Sequence, residues 1–313
     1  MPFTLPANSR RKFLRGSLAA FAGALITKQS AFSKEAADPT SWLLFSDAHI
    51  AADRALVSRS VNVAANLALC VNEALAAHPA ASAAIISGDC ALLNGQKEDY
   101  KTFGELVQPL RDAGLPVHLL MGNHDDRAHF AEALGGINAP SPVEHRIAGV
   151  IESKLANWFL LDSLDVTNKT PGLLGPEQRA WLEKALDARA DKPALIVVHH
   201  NIIPLPENPE LREVAKATLS KGGLTDSEDL LAILRPRQQV KACIFGHTHN
   251  WSVLRESGGI HLINLPPTGY VFKNGMPSGW VHAALSEHGA TLKLNCTDVA
   301  HTQHGAKAEL TWR

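Results

Sequence analysis

The sequence of 313 residues contains only four cysteines, and no two of them form a Cys-x-x-Cys pair. This absence excludes a zinc ribbon and a thioredoxin-type redox motif. One of the four, Cys243, lies inside the apolar run 242–245, and free thiols are common in buried runs of this kind. We therefore expect free thiols rather than a disulfide framework.

Long apolar segments are also absent near the N-terminus. The apolar run 18–26 is too short to span a membrane. It follows Arg10-Arg11 and precedes the small residues 31–33, an arrangement that resembles a twin-arginine export signal. The charge of Lys28 behind the run would hinder threading through the general secretion channel.

The N-terminal pattern predicts a signal peptide over residues 1–33, cleaved after Ser33. The twin-arginine translocase would be a partner during export, and the location would be periplasmic or secreted. A stable membrane anchor is not expected. The alternatives are a frayed basic terminus and an anchor helix.

A basic surface is also missing. Loss of residues 1–33 removes five bases and no acids, which leaves 25 bases against 31 acids and a net charge of −6. This balance argues against binding of a nucleic acid polymer. Binding of a small phosphate ester is still compatible with this net charge, because a bound metal ion would neutralise the negative charge of the ester.

Internal repeats, low-complexity tracts and a second domain are absent, while 45% apolar and 19% charged residues are typical of a globular chain. Apolar runs alternate with segments of helical periodicity, which predicts a layered α/β domain. The residues after about 251 favour an antiparallel section up to 297. Strands are predicted at 42–45, 83–86, 115–120, 158–161, 194–198 and 240–245, and helices at 56–77, 97–112, 176–190, 210–219 and 227–234.

Five of these apolar runs are followed at once by residues that bind metals. Ligands bind at the carboxyl ends of strands in α/β sheets. In the Asp-x-His and His-x-His pairs, residues two apart on an extended segment point the same way, so both can reach one site. The residues are Asp47 and His49, Asp89, Asn123 and His124, His199 and His200, and His247 and His249.

The donors are imidazoles, carboxylates and one amide, without a thiolate. This set suits borderline divalent ions such as Zn²⁺, Mn²⁺ or Fe²⁺. Without His124 and one of the adjacent pair His199 and His200, seven donors remain. Seven are too many for one tetrahedral site and suit two ions that share a bridging carboxylate. Two ions roughly 3.5–4 Å apart stabilise both oxygens of an in-line displacement at phosphorus.

Residues 42–250 resemble the calcineurin-like metallophosphoesterases, whose motif series D-x-H, G-D, G-N-H-D, H and G-H-x-H is complete and in order. The stretches 122–127 and 161–178 resemble the class III cyclic nucleotide phosphodiesterases and the glycerophosphodiesterases. The resemblance implies a four-layer α/β/β/α sandwich of two mixed β-sheets flanked by helices, with a dinuclear metal site at the C-terminal ends of strands.

The resemblance also implies a role for each matching residue. A metal-bridging hydroxide would attack phosphorus, and His124 would act as general acid or stabilise the transition state. His199 rather than His200 would be a ligand, because the family places its ligand first in that pair. One ion would be held by Asp47, His49 and His249, the other by Asn123, His199 and His247, with Asp89 bridging both.

Two departures from related families matter. The purple acid phosphatases carry a tyrosine three residues after the Gly-Asp aspartate, where this chain has Leu92. A separate cap domain is also lacking, so substrate selection would rest on the loops near 126–150 and 201–222, and on 264–280 as a third candidate. Asp125 and Asp162 would either orient imidazoles or cap local structure.

The sequence thus predicts one metallophosphoesterase catalytic domain over residues 40–300 and a C-terminal tail at 301–313. The expected activity is hydrolysis of a small phosphodiester, of the cyclic nucleotide or glycerophosphodiester type. The alternatives are a phosphomonoesterase or nucleotide pyrophosphatase with the same centre, and a binding module that has lost the chemistry.

Overall fold

The computed structural model describes residues 2–8, 37–135 and 140–313. The twin-arginine pair, the apolar run behind it and the predicted cleavage position after Ser33 lie outside these residues. Within the described ranges there are six helices, namely α1 Val63–Ala77, α2 Lys97–Asp112, α3 Arg127–Leu134, α4 Pro176–Asp187, α5 Pro209–Gly222 and α6 Ser227–Leu234. None of them is long and apolar enough to cross a membrane.

The same described ranges contain fifteen strands. They are β1 Thr4–Leu5, β2 Asp38–Phe45, β3 Val57–Ser58, β4 Val61–Asn62, β5 Ala81–Ile86, β6 Val117–Leu119, β7 Gly149–Glu152, β8 Asn157–Leu160, β9 Ala194–Val197, β10 Val240–Phe245, β11 Ser252–Arg255, β12 His261–Asn264, β13 Gly279–Leu285, β14 Gly289–Cys296 and β15 Lys307–Thr311.

Two mixed sheets form the centre of the domain. The first has seven strands in the order β1-β6-β5-β2-β13-β14-β15, and the second has six in the order β11-β12-β10-β9-β8-β7. β2, β5 and β6 are parallel to one another, as are β8, β9, β10 and β12. The remaining neighbours pair antiparallel, so each sheet is parallel at its centre and antiparallel at an edge.

Three apolar cores separate four layers. The middle core lies between the two sheets, where Trp42 and Trp158 pack with ring centroids 4.6 Å apart. One outer core joins the seven-stranded sheet to α1, α2 and α3, and the other joins the six-stranded sheet to α4 and α6. The predicted four-layer α/β/β/α arrangement is confirmed. The four cysteines are all free and buried, as expected.

Local sequence explains where the helices begin. Asn62 accepts a hydrogen bond from the backbone N–H of Ala65 and so caps α1. At the start of α2, Gln96 and Asp99 form a reciprocal capping box. Asp126 caps α3 by accepting from the N–H of His129, which ends the loop after β6 and orients its side chains.

Three segments differ from the sequence prediction. The helix predicted from residue 56 begins at Val63, because 57–62 form the hairpin β3–β4. The section after 251 is not wholly antiparallel, since β12 pairs parallel with β10. The tail predicted at 301–313 contains β15, which pairs with β14 over residues 307–311 and buries Leu310.

The N-terminal residues 2–8 are part of the seven-stranded sheet, although they lie within the predicted signal peptide. Thr4 and Leu5 pair antiparallel with β6, and the N–H of Leu119 donates to the carbonyl of Phe3 at 3.1 Å. The side chains of Phe3 and Leu5 are each 1% exposed. Phe3 packs edge-on against Phe130 with centroids 4.6 Å apart. This segment therefore closes the outer core beside α3.

Because Phe3 fills this core, Phe3→Ala is expected to lower the free energy of unfolding of the full-length chain by about 3–5 kcal/mol. Thermal or urea unfolding followed by circular dichroism measures the change, with the intact N-terminus verified by mass. Val299→Ala, at a side chain that is 67% exposed, is the control and should change stability by less than about 0.5 kcal/mol. Equal stabilities of Phe3→Ala and wild type would contradict the docking of β1.

Candidate metal centre

The candidate ligands meet at one end of the sandwich, where parallel strands of both sheets end. Each predicted group follows its strand directly. β2, β5 and β6 of the seven-stranded sheet supply Asp47, His49, Asp89, Asn123 and His124, and β9 and β10 of the six-stranded sheet supply His199, His200, His247 and His249.

One group of donors consists of Asp47, His49 and His249, called here the Asp47 cluster. Their donor atoms lie within 4.8 Å of one another, and all three side chains are buried. His49 Nε2 is 3.0 Å from His249 Nε2, and His249 Nε2 is 3.4 Å from Asp47 Oδ1. A carboxylate and two imidazoles thus converge on one point.

A second group consists of Asp89, His199 and His247, called here the Asp89 cluster, with the same 4.8 Å limit. His199 Nε2 lies 3.3 Å from Asp89 Oδ2, and His49 Nε2 lies 3.7 Å from the same oxygen. Asp89 therefore stands between the two clusters. His199, and not His200, belongs to this set.

Hydrogen bonds define which ring nitrogen is free. A backbone carbonyl only accepts, so the Nδ1 atoms of His49, His199 and His249 must donate to Leu92, Ser87 and Tyr270 respectively. In a neutral ring bonded in this way, Nε2 carries a lone pair. The two lone pairs of His49 and His249 face each other at 3.0 Å, which no hydrogen bond between them can satisfy. A cation bound between the two nitrogen atoms would accept both lone pairs.

Two further buried atoms fit the same interpretation. Asn123 Oδ1 and His199 Nε2 have no hydrogen-bond partner among the described residues. Most buried polar atoms in proteins are paired, and these two unpaired atoms lie among the other candidate ligands. Together with the facing imidazoles, these atoms fit a divalent metal centre.

Burial keeps several of the imidazoles neutral. Desolvation lowers the pKa of His49 to about 3 and the pKa of His247 to about 4. Burial also lowers the pKa of His199, but the charge of Asp89 and its hydrogen bond outweigh this and raise it to about 9. For Asp89 itself, burial raises the pKa, and the stronger attraction of His199 leaves it well below the usual value. The carboxylate is thus ionised.

The backbone is strained at five of these positions. Asp47, His49, Asp89, His247 and His249 have φ between 49° and 68°. This left-handed region costs of order 1–3 kcal/mol for a residue with a side chain, and such outliers cluster at functional sites. Sequence patterns gave no sign of it.

A glycine lets the two central loops approach each other. A Cβ on Gly122 would lie 2.3 Å or less from Asp89 atoms, closer than any real contact, so only glycine fits beside this carboxylate. Asp125 strengthens the same junction, because it accepts from the N–H of Gly122 at 2.9 Å and that of Ala91 at 3.2 Å. It therefore joins backbone loops and does not orient an imidazole.

His124, His200 and Asp162 are the remaining residues that the sequence singled out, and they differ in their contacts. His124 donates a hydrogen bond from Nδ1 to the carbonyl of Leu93. One of its ring nitrogens, as a possible metal ligand, lies within 4.8 Å of the corresponding atoms of His49 and Asp89. His200 is fully buried and bonded through Nδ1 to Ser163 Oγ at 2.7 Å, beside His247. Asp162 forms an ion pair with Arg127 at 2.7 Å instead of orienting an imidazole.

The comparisons with known proteins agree with this geometry. Residues 42–251 match the family model described as calcineurin-like phosphoesterase. The chain belongs to this family. The prediction of a metal-dependent phosphoric ester hydrolase is thereby confirmed, as is the family resemblance of the motifs.

Several relatives carry phosphodiesterase names. The chain is 28% identical over 250 residues to a 3',5'-cyclic adenosine monophosphate phosphodiesterase of Haemophilus influenzae, covering 78% of this chain and 82% of the relative. It is 29% identical over 207 residues to a probable glycerophosphodiester phosphodiesterase of Arcobacter nitrofigilis, covering 66% and 71%. A solved dimetal phosphatase of Danio rerio has the same fold, with a TM-score of 0.65, 17% identity, and coverage of 88% of this chain and all of that one.

Leu92 lies at the edge of the centre and supplies only its carbonyl, to His49. The nearby Tyr270 keeps its proton, because burial raises its pKa to about 12. We therefore expect iron-loaded protein to lack a strong visible charge-transfer band. An absorption spectrum of the chain loaded with iron, with metal content measured in parallel, checks this. A purple preparation would contradict the ligand assignment.

Proposed function

We propose that this chain hydrolyses a small phosphodiester, of the cyclic nucleotide or glycerophosphodiester type, at a centre of two divalent ions. The observation that carries the proposal is the position of the Asp89 carboxylate. Its Oδ2 lies 3.3 Å from His199 of its own cluster and 3.7 Å from His49 of the Asp47 cluster. The phosphodiesterase names of the relatives support the choice of a diester.

The chain's own residues would divide the work by position. Asp47, His49 and His249 would hold one ion, Asn123, His199 and His247 the other, with Asp89 shared. When bound, Mn²⁺, Fe²⁺ or Zn²⁺ would supply Lewis acidity and an activated water. The carbonyls of Leu92, Ser87 and Tyr270 would keep three of the imidazoles oriented with Nε2 toward the ions.

His124 would lean over the centre as the catalytic proton donor. Its Nδ1 is engaged with the carbonyl of Leu93 at 2.9 Å, so Nε2 is the nitrogen free to serve a leaving group. Its backbone N–H donates to Asp89 Oδ1 at 2.9 Å, which couples its position to that of the shared carboxylate. A proton placed on the departing ester oxygen would ease its expulsion.

A panel of phosphate esters tests the proposal. The purified chain is supplied with Mn²⁺, Zn²⁺ and Fe²⁺ in turn, and kcat/KM is measured for cyclic AMP, glycerophosphoglycerol, an aryl monoester and a nucleotide pyrophosphate. We expect a diester to be the best substrate. A higher kcat/KM for the monoester or the pyrophosphate would replace this function with the corresponding alternative. No turnover with two ions bound would identify a binding module.

We further propose export through the twin-arginine translocase, supported by Arg10-Arg11 ahead of the short apolar run. A route that carries folded protein suits a chain that must fold around its metals first. Replacing both arginines by lysine is expected to leave the precursor in the cytoplasm, as measured by cell fractionation. Arg15→Lys is the control and should be exported, whereas full export of the double variant would contradict the route.

A further inference from the structure

Three side chains at the rim of the metal centre have no part in the proposed chemistry. They are called here the rim cluster, and consist of Arg59, Tyr270 and Phe272. The ring of Phe272 is 54% exposed and stacks on that of His249, with centroids 4.0 Å apart and planes at 21°. Tyr270 stacks on His49 with centroids 4.9 Å apart. Both aromatic rings thus rest against residues of the Asp47 cluster.

The loop that carries the two rings is hydrogen-bonded to the segment that carries Asp47 and to α1. The N–H of Thr268 donates to the carbonyl of Ser46 at 2.8 Å, and that of Gly269 donates to the carbonyl of Asp47 at 3.0 Å. Asn66 on α1 donates to the carbonyl of Gly269 at 3.1 Å. The position of the rings is therefore coupled to that of the candidate ligands, which is the preorganisation that a binding surface needs.

Arg59 comes to the same place from the β3–β4 hairpin. Its guanidinium carbon lies 5.1 Å from the ring centroid of Phe272 and 5.4 Å from that of Tyr270. The two residues of the turn, Arg59 and Ser60, have φ of 48° and 67°, a conformation that glycine or asparagine adopts more readily. Among the described residues, no carboxylate forms an ion pair with Arg59. An uncompensated cation is thus held over two aromatic rings, of which that of Phe272 is exposed.

The aromatic rings and the cation together would favour some alcohol groups of a diester substrate over others. A flat nucleobase stacks on aromatic rings and on a guanidinium plane. A choline or ethanolamine head group also favours aromatic faces, but its positive charge would meet the charge of Arg59. Repulsion of this kind is an effective source of specificity. A glycerol group gains little from either element.

We propose that the rim cluster is a base-binding subsite, which selects nucleotide diesters over glycerophosphodiesters and repels those with cationic head groups. The proposal rests on the phosphodiesterase function proposed above and narrows its substrate class. Phe272 supplies the stacking surface, and Arg59 supplies the charge that selects against cations.

Substitution of Phe272 tests the stacking surface. In Phe272→Ala, the ratio of kcat/KM for cyclic AMP to kcat/KM for glycerophosphoglycerol should fall about 10- to 100-fold. Phe272→Trp should preserve the ratio, since it keeps a flat ring. Val299→Ala, at an exposed apolar residue outside the rim cluster, is the matched control. An equal loss on both substrates in Phe272→Ala would overturn the subsite.

Reversal of the charge tests the second element. Arg59→Glu should raise kcat/KM for glycerophosphocholine relative to cyclic AMP about 10-fold or more, because attraction replaces repulsion. Arg59→Lys should leave this ratio near the wild-type value, because the positive charge is kept. An unchanged ratio in Arg59→Glu would show that the charge does not select the head group.

A binding measurement separates failure of the subsite from failure of the proposed function. Saturation-transfer NMR on the zinc-loaded full chain with AMP should show stronger transfer to the base protons than to the ribose protons, and Phe272→Ala should abolish the difference. Turnover of diesters without this base transfer would overturn the subsite alone. Base transfer without turnover of any diester would support the subsite and reject the phosphodiesterase function.

Discussion

His124→Ala is expected to lower turnover of an alkyl phosphodiester by about 10²–10⁴-fold, the usual contribution of a general acid. The loss should be smaller for a nitrophenyl diester, whose leaving group needs little protonation. The variant should keep about two metal ions per chain, because the free Nε2 of His124 is assigned to the leaving group and not to a metal. Rates on both esters and metal content by atomic emission check these expectations.

The structure provides a matched control in His129, which lies five residues further along the chain and donates from Nδ1 to the carbonyl of Gly95 at 2.8 Å. His129→Ala should keep both metal and turnover. The donor atom of His124 also lies near those of His49 and Asp89, so loss of metal in His124→Ala would identify it as a ligand. Equal rate losses on the two esters would leave only electrostatic stabilisation.

Asp89→Asn should have the larger effect, with turnover reduced by more than about 10⁴-fold, beyond the contribution of a general acid alone. The neutral amide keeps the shape of the side chain but loses the charge that both clusters share, so at least one ion should bind more weakly. Metal content and the Mn²⁺-dependent rise in melting temperature measure this loss. Asp165→Ala, at an exposed carboxylate, is the control.

The metal-free protein gives an independent check on Asp89. Its carboxylate compensates the charge of His199 at 3.3 Å, so Asp89→Asn should also return the raised pKa of His199 toward its ordinary value. Titration of the imidazole by NMR would follow this. Retention of two tightly bound ions in Asp89→Asn would contradict the shared position of the carboxylate.

The convergence of the candidate ligands could be predicted because each lies at the end of a strong local pattern. An apolar run such as 240–245 specifies a buried strand by itself, and the residues after it must emerge at the edge of the sheet. The helices α2, which begins with a capping box, and α6 also have the predicted bounds. In these segments local preference and tertiary structure agree.

Other parts depend on contacts that no local pattern records. The two residues of β1 are too few to show a period, and the adjacent Phe3 packs on Phe130, more than a hundred residues away. The β3–β4 turn lacks the Asn-Gly or Asp-Gly signal of a tight hairpin, so the sequence pattern predicts a helix there instead. Phe272 follows no motif, and only the fold places it on His249.

The left-handed backbone at five candidate ligands affects which substitutions the fold would favour there. Glycine would relieve the backbone cost at each of these positions, so selection for an unstrained backbone alone would favour loss of the centre. A side chain at these five positions therefore carries a backbone cost, for which the ion-binding role proposed here gives a reason.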